Sequence, residues 1–135
     1  MNILQSNMTY GLLKSVLNAS QLRQETISNN IANVNTPNYK ANRVVFEEKL
    51  QRAVDGASVN LKATHVNHFG TLEQMVQPKV VKDQSASMRN DGNNVDIDVE
   101  MSNLAANQIL YNTLVQQVGG KISTLRYVIR EGSSS

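Results

Sequence analysis

The sequence predicts a mainly α fold: an antiparallel pair of long N- and C-terminal coiled-coil helices joined by an irregular middle with a short helix and a possible β-hairpin. Three observations lead there. Apolar residues keep helical spacing from Ile3 to Val34, a heptad repeat runs from Met101 to Ile129, and between them Asn, Pro and Gly interrupt every shorter pattern. One domain of 135 residues follows, with a first helix over 1–34, a turn and irregular middle over 35–95, and a last helix over 96–131.

In the first helix Leu13, Leu17, Ile27, Ile31 and Val34 fall on a three-four repeat completed by Ser20 and Gln24. Met8, Leu12, Val16 and Ala19 form a second row beside it, so this helix should touch more than one partner. The pattern stops inside Ile27–Lys40. Asn30, Asn33 and Asn35 suit a helix end, where an amide can satisfy a stray carbonyl or the backbone can turn left-handed, and Pro37 pushes Thr36 out of the α region.

Ala41–Val54 carries Val44, Val45, Phe46, Leu50 and Val54 and is expected as a short helix ending at Asp55-Gly56. Val59–Thr64 alternates apolar and polar residues as a half-buried strand does, and Leu72–Val81 is a second β-prone run, interrupted by Pro78. The two could pair as a hairpin. Asp91-Gly92-Asn93-Asn94 is a turn signal ahead of the last helix.

The last helix has the clearest periodicity. Met101, Leu104, Gln108, Tyr111, Val115, Val118, Ile122, Leu125 and Ile129 are spaced alternately by three and four, and Gln108 alone among them is polar. Asp96, Asp98 and Glu100 open the helix and Lys121, Arg126 and Arg130 close it, complementing its dipole. Gly119 and Gly120 weaken it locally, as a close neighbour, a bend or a simply tolerated blemish would each explain. A lone helix pair leaves the Met8 row and Leu110 and Leu114 bare, so neighbouring chains are expected to cover them.

Composition narrows the function. With four Tyr, two Phe and no Trp the chain lacks large core anchors. Its net charge is +2, but the 13 Lys and Arg stand singly, without interleaved aromatics, so neither nucleic acid nor an anionic surface is the expected partner. Without cysteine there is neither a thiolate nucleophile nor a Cys-ligated metal. The first charge is Lys14 and no apolar run reaches the roughly 20 residues that cross a bilayer, so neither a cleavable signal nor direct membrane insertion is expected. Asp91, Asp96, Asp98 and Glu100 do not fit the calcium-loop template, because Met101 stands where the sixth position counted from Asp96 requires Gly. His65 and His68 lack a third ligand. No phosphate loop, nucleophile elbow or carboxylate pair is present, so the chain reads as no enzyme, with no cofactor and no metal.

Two motifs carry a resemblance. Ser28-Asn29-Asn30-Ile31-Ala32-Asn33, followed by Asn35-Thr36-Pro37-Asn38-Tyr39-Lys40, resembles the amino-terminal signature of the rod and hook subunits of the bacterial flagellum. The run from Asp91 through Val95, Asp96 and Ile97 to Met101, continuing past Leu104, Asn107, Gln108 and Tyr111, is similar to the segment leading into their terminal helix. Short length and the Asp-Gly-Asn-Asn lead-in are most similar to the proximal-rod subunits. One kind of these usually carries an Ala-Gln-Arg-Ala-Tyr type run where this chain has Asn107–Tyr111, and it is kept as the alternative. Asn38 replaces the family's frequent Gly; Asn tolerates positive φ, so the turn should survive.

The resemblance implies a structural subunit, exported without a cleaved signal, located in the basal body within the cell envelope. Such subunits assemble through their terminal helices into a torque-transmitting rod that walls the export channel. The implied partners are other copies of the chain, other rod subunits, the membrane-ring adapter and the flagellar type III export gate. Asn29, Asn30, Ile31, Ala32, Asn33, Asn35, Thr36, Pro37 and Tyr39 would form the assembly motif. The two helical stripes would supply the packing. The competing expectations are a coiled-coil adaptor or export chaperone, which would form a small closed oligomer, and a weak nucleic-acid binder, whose affinity would fall steeply with salt.

Overall fold

Helix α1 spans Ile3–Ala32, strand β1 Asn42–Val45, strand β2 Lys79–Lys82 and helix α2 Ile97–Gly132 in the computed structural model, which describes residues 3–52, 76–87 and 89–132. The two helices pack against each other, and the strands form a two-stranded antiparallel sheet beside α1. Its register pairs Asn42 with Lys82, Arg43 with Val81, Val44 with Val80 and Val45 with Lys79.

The sheet revises the expected middle. The short helix predicted from Ala41 begins only after Phe46, with residues 47–52 helical and 42–45 extended. β-Branched Val44 and Val45 favour the pleated backbone, and Val80 and Val81 lie opposite. The strand expected within Leu72–Val81 begins beyond Pro78, where no missing N–H interrupts the ladder, and its partner is β1. Val59–Thr64, the other strand of the expected hairpin, lies outside the described residues, as do Asp55-Gly56, His65 and His68.

A small apolar core forms where the middle folds onto α1. Ala19, Phe46 and Val76 are buried, with Val16, Val44 and Leu50 packed against them. The chain's own middle therefore covers Val16 and Ala19, half of the row expected to await a neighbour. Leu114 is also buried, between the helices, whereas Leu12 and Leu110 stay exposed.

The face that α2 turns to α1 differs from its most apolar stripe. Buried or half-buried positions run Glu100, Leu104, Asn107, Tyr111, Leu114 and Val118. Leu104, Tyr111 and Val118 belong to the predicted stripe, but Met101, Val115, Ile122, Leu125 and Ile129 are exposed, Met101 by 51% and Ile129 by 71%. Polar contacts account for the difference: Asn107 bonds Ser20, and Glu100 bonds Asn30 and Arg43. On α1, Ile27 is buried and Leu13, Leu17 and Ile31 are half-buried. A Cβ on Gly119 or Gly120 would meet nothing within 4 Å, so no close approach within the described residues explains them.

Candidate functional site

The first helix ends by tightening. Asn33 N–H reaches both Asn29 and Asn30 carbonyls, Val34 N–H bonds Ile31 at 3.2 Å and Thr36 N–H bonds Asn33 at 3.0 Å, shortening the bond span from four residues to three. No basic residue lies in the last turn of α1 to answer its orphan carbonyls. They are answered from the other end of the chain. The fully buried Asn93 donates its Nδ2 to the carbonyls of Asn33, Val34 and Thr36 at 2.9, 3.1 and 2.8 Å. Its Oδ1 accepts Val95 N–H at 2.7 Å, which fixes the amide's orientation. Arg89 adds a bond to Val34 O at 2.9 Å and is held by Asp91.

Two left-handed residues make this approach possible. Asn38 has φ 58° and Gly92 φ 74°, and the two face each other: a Cβ on Gly92 would lie 2.7 Å from Asn38 Oδ1. Asn38 N–H donates to Asp91 O at 2.8 Å. Next to it, Asn94 Oδ1 accepts Ala41 N–H at 2.7 Å while its Nδ2 donates to Asp83 O at 3.1 Å, tying the turn to the end of β2. The Asn-Thr-Pro-Asn-Tyr and Asp-Gly-Asn-Asn motifs, read apart in the sequence, are two halves of one interlock.

A second node lies one helical turn back. Asn30 is fully buried; its Nδ2 donates to Asn42 O at 2.9 Å and Glu100 Oε2 at 3.2 Å, and its Oδ1 accepts Asn42 N–H at 2.9 Å and the Tyr39 hydroxyl at 3.4 Å. Glu100, also fully buried, takes Arg43 as its cationic partner. Arg43 further lies 3.8 Å from Asp83. The Ser85 N–H and then its hydroxyl hold the Asp83 carboxyl below its usual range; burial opposes them, and Arg43 and Lys40 add weaker attractions. Asp96 begins α2 as its cap, its Oδ1 accepting Asp98 and Val99 N–H at 3.0 and 3.3 Å.

The motif residues thus divide. Asn30 reaches into the node, Tyr39 half-buried beside it, while Asn33 bonds Asn29 O and accepts the Thr36 hydroxyl. Ile31 is half-buried, and Asn29, Ala32, Asn35, Thr36 and Pro37 face outward. Sequence reading missed Asn42, Arg43, Asn93 and Asn94 as individual members of the site. The Asp-Gly-Asn-Asn turn marked the place of the last two; nothing local marked Arg43.

An open groove of about 300 Å³ lies between the helices and β1, lined among others by Ile27, Arg43, Asn103 and Leu110. Arg23 and Arg43 on its wall are paired with Glu47 and Glu100. Among the described residues no group of His, Cys, Asp and Glu could hold a metal ion, and no helix is long and apolar enough to cross a membrane.

The profile of the family described as "Flagella basal body rod protein" matches residues 14–40, which include the end of α1 and the turn after it. The flagellar basal body rod protein FlgB of Bacillus subtilis strain 168 is 38% identical over 122 residues, 89% of this chain and 92% of that one. FlgB of Borrelia hermsii is 37% identical over 137 residues, 96% of this chain and 100% of the relative. FlgB of Aquifex aeolicus is 29% identical over 119 residues, 88% and 90% of the two chains.

Proposed function

Because the chain belongs to the FlgB family of flagellar basal body rod proteins, a structural rather than enzymatic family whose members assemble with other flagellar components of the basal body, we propose that it builds the proximal rod by self-assembly through its terminal helices. In this role it transmits torque and forms part of the export channel wall. Its partners are other copies of itself, other rod subunits, the membrane-ring adapter and the flagellar type III export gate.

One observation carries the proposal: the apolar residues of α2 that α1 leaves uncovered. Met101, Val115, Ile122, Leu125 and Ile129 are exposed along one helix, with Ile109 and Val128 adding further bare apolar surface. Monomeric proteins rarely expose so long an apolar row, and in a rod subunit each such side chain would contribute about 1.5–3 kcal/mol when a neighbour buries it. Asn29, Asn35, Thr36 and Pro37 then form the outer rim of the turn, where a neighbouring subunit can bond to them. The interlock beneath holds that rim in place.

The experiment is a M101D/V115D chain expressed in a strain lacking its own copy. Both positions face solvent, so the purified variant should keep the parent's helicity while cells fail to assemble rods and to swim. A swimming strain with normal basal bodies would overturn the proposal. A small closed oligomer of the purified parent chain would favour the adaptor reading instead.

A further inference from the structure

Helix α2 offers α1 a choice of faces. Leu104, Tyr111 and Val118 lie on both. One candidate face adds Met101, Gln108 and Val115, the other Glu100, Asn107 and Leu114, each set spaced by one heptad. Burial of apolar area alone favours the first. The structure uses the second, leaving Met101 and Val115 exposed by 51% and 45%.

What the chosen face has instead is two buried polar layers. In the first, Ser20 Oγ donates to Asn107 Oδ1 at 3.0 Å, and Asn107 Nδ2 donates to Ser20 O at 2.9 Å and Gln24 Oε1 at 3.0 Å. In the second, Asn30 and Arg43 bond the fully buried Glu100. Among the described residues, no buried side-chain nitrogen or oxygen lacks a partner. Turning α2 by about 50° about its axis, half of one residue's step, would carry Met101, Gln108 and Val115 inward beside Leu104, Tyr111 and Val118 and would take the Glu100 carboxylate away from the Asn30 amide. Buried polar residues at single heptad positions are known to fix which partner and register a helix accepts, at a cost in stability.

We propose that Glu100 and Asn107 act as selectors that bind α1 to the less apolar face of α2 and so keep the Met101–Val115 row free for a neighbouring subunit. This rests on the rod reading for the identity of the neighbour. The choice of face is a property of the single chain and is tested there.

The chain has no cysteine, so V115C gives one reporter thiol. In the purified full chain this thiol should react with a soluble disulfide reagent nearly as fast as in denaturant. Adding E100A/N107A should let the apolar row turn inward, slowing the reaction at least about fivefold with helicity retained, and N107A alone should give a smaller slowing. The protection should be independent of protein concentration. Unchanged reactivity in a helical double variant would overturn the proposal, because the face would then be chosen without these residues. Loss of helicity in both variants would also overturn it, since the layers would then supply support rather than selection. Protection that grows with concentration would mean self-association in place of a turned helix, and would overturn it as well.

Discussion

Asn93 is the residue whose removal should damage the fold most per atom deleted. In N93A two buried N–H donors disappear from the carbonyls of Asn33, Val34 and Thr36, and Val95 N–H loses its acceptor. Each of the two lost donors withdraws about 0.5–1.5 kcal/mol, and leaving the Val95 donor unpaired beside a 3%-exposed side chain adds about 1–3 kcal/mol, so about 2–6 kcal/mol in total is expected. That is a large part of the roughly 5–15 kcal/mol that stabilises a typical domain. Urea unfolding followed by far-ultraviolet circular dichroism measures it. N93D provides the sharper control. It keeps an oxygen for Val95 N–H but turns a carboxylate toward three carbonyls at the negative end of α1, so at neutral pH it should be no more stable than N93A. An N93D chain within about 0.5 kcal/mol of the parent, or an N93A chain losing less than about 1 kcal/mol, would refute the view that this amide caps the first helix.

Two further substitutions probe the same region. G92A forces a side chain into φ 74° and against Asn38 Oδ1, and should cost about 2 kcal/mol; because the contact with Asn38 is part of that loss, N38G/G92A should recover about 1 kcal/mol of it in a double-mutant cycle. R43M takes from the buried Glu100 its cationic partner and should destabilise by about 3–5 kcal/mol, whereas R43M/E100Q, which removes the mismatch, should regain most of this by the same unfolding measurement.

Much of this architecture is written locally. The 3.6-residue spacing marks both helices, and Pro37 with its flanking amides marks where the first stops. Asn38 takes the left-handed conformation that the resemblance implied, standing where the family often carries Gly. What spacing does not carry is partnership over long separation. Asn93 and the carbonyls it caps are 57–60 residues apart, and Ser20 and Asn107 are 87 apart. Local pattern identified each as a turn or polar residue without naming its mate. The seam shows the same limit from another side. Periodicity locates the most apolar stripe of α2, but a helix with polar partners waiting on α1 packs by hydrogen-bond complementarity as well as by area. Val44 and Val45 read as helix while the apolar run around them was counted; β-branching and the distant Lys79–Lys82 strand decided the other way.

The distribution of these interactions along the helix pair has its own consequence. Toward the turn, long-range side-chain bonds join the two terminal segments: Asn93 on the α1 end, Glu100 on Asn30, Asn107 on Ser20. Beyond Val118 the helix α2 offers apolar residues that remain exposed, Ile122, Leu125 and Ile129 among them. Directional bonds hold a unique geometry without a partner chain, because each donor already has its acceptor. Bare apolar surface gains its free energy only when something covers it, and it accepts several orientations. A chain built this way holds its turn by bonds already made within it, so amide exchange should be slowest around Asn30 and Asn93 and fastest toward Ile129.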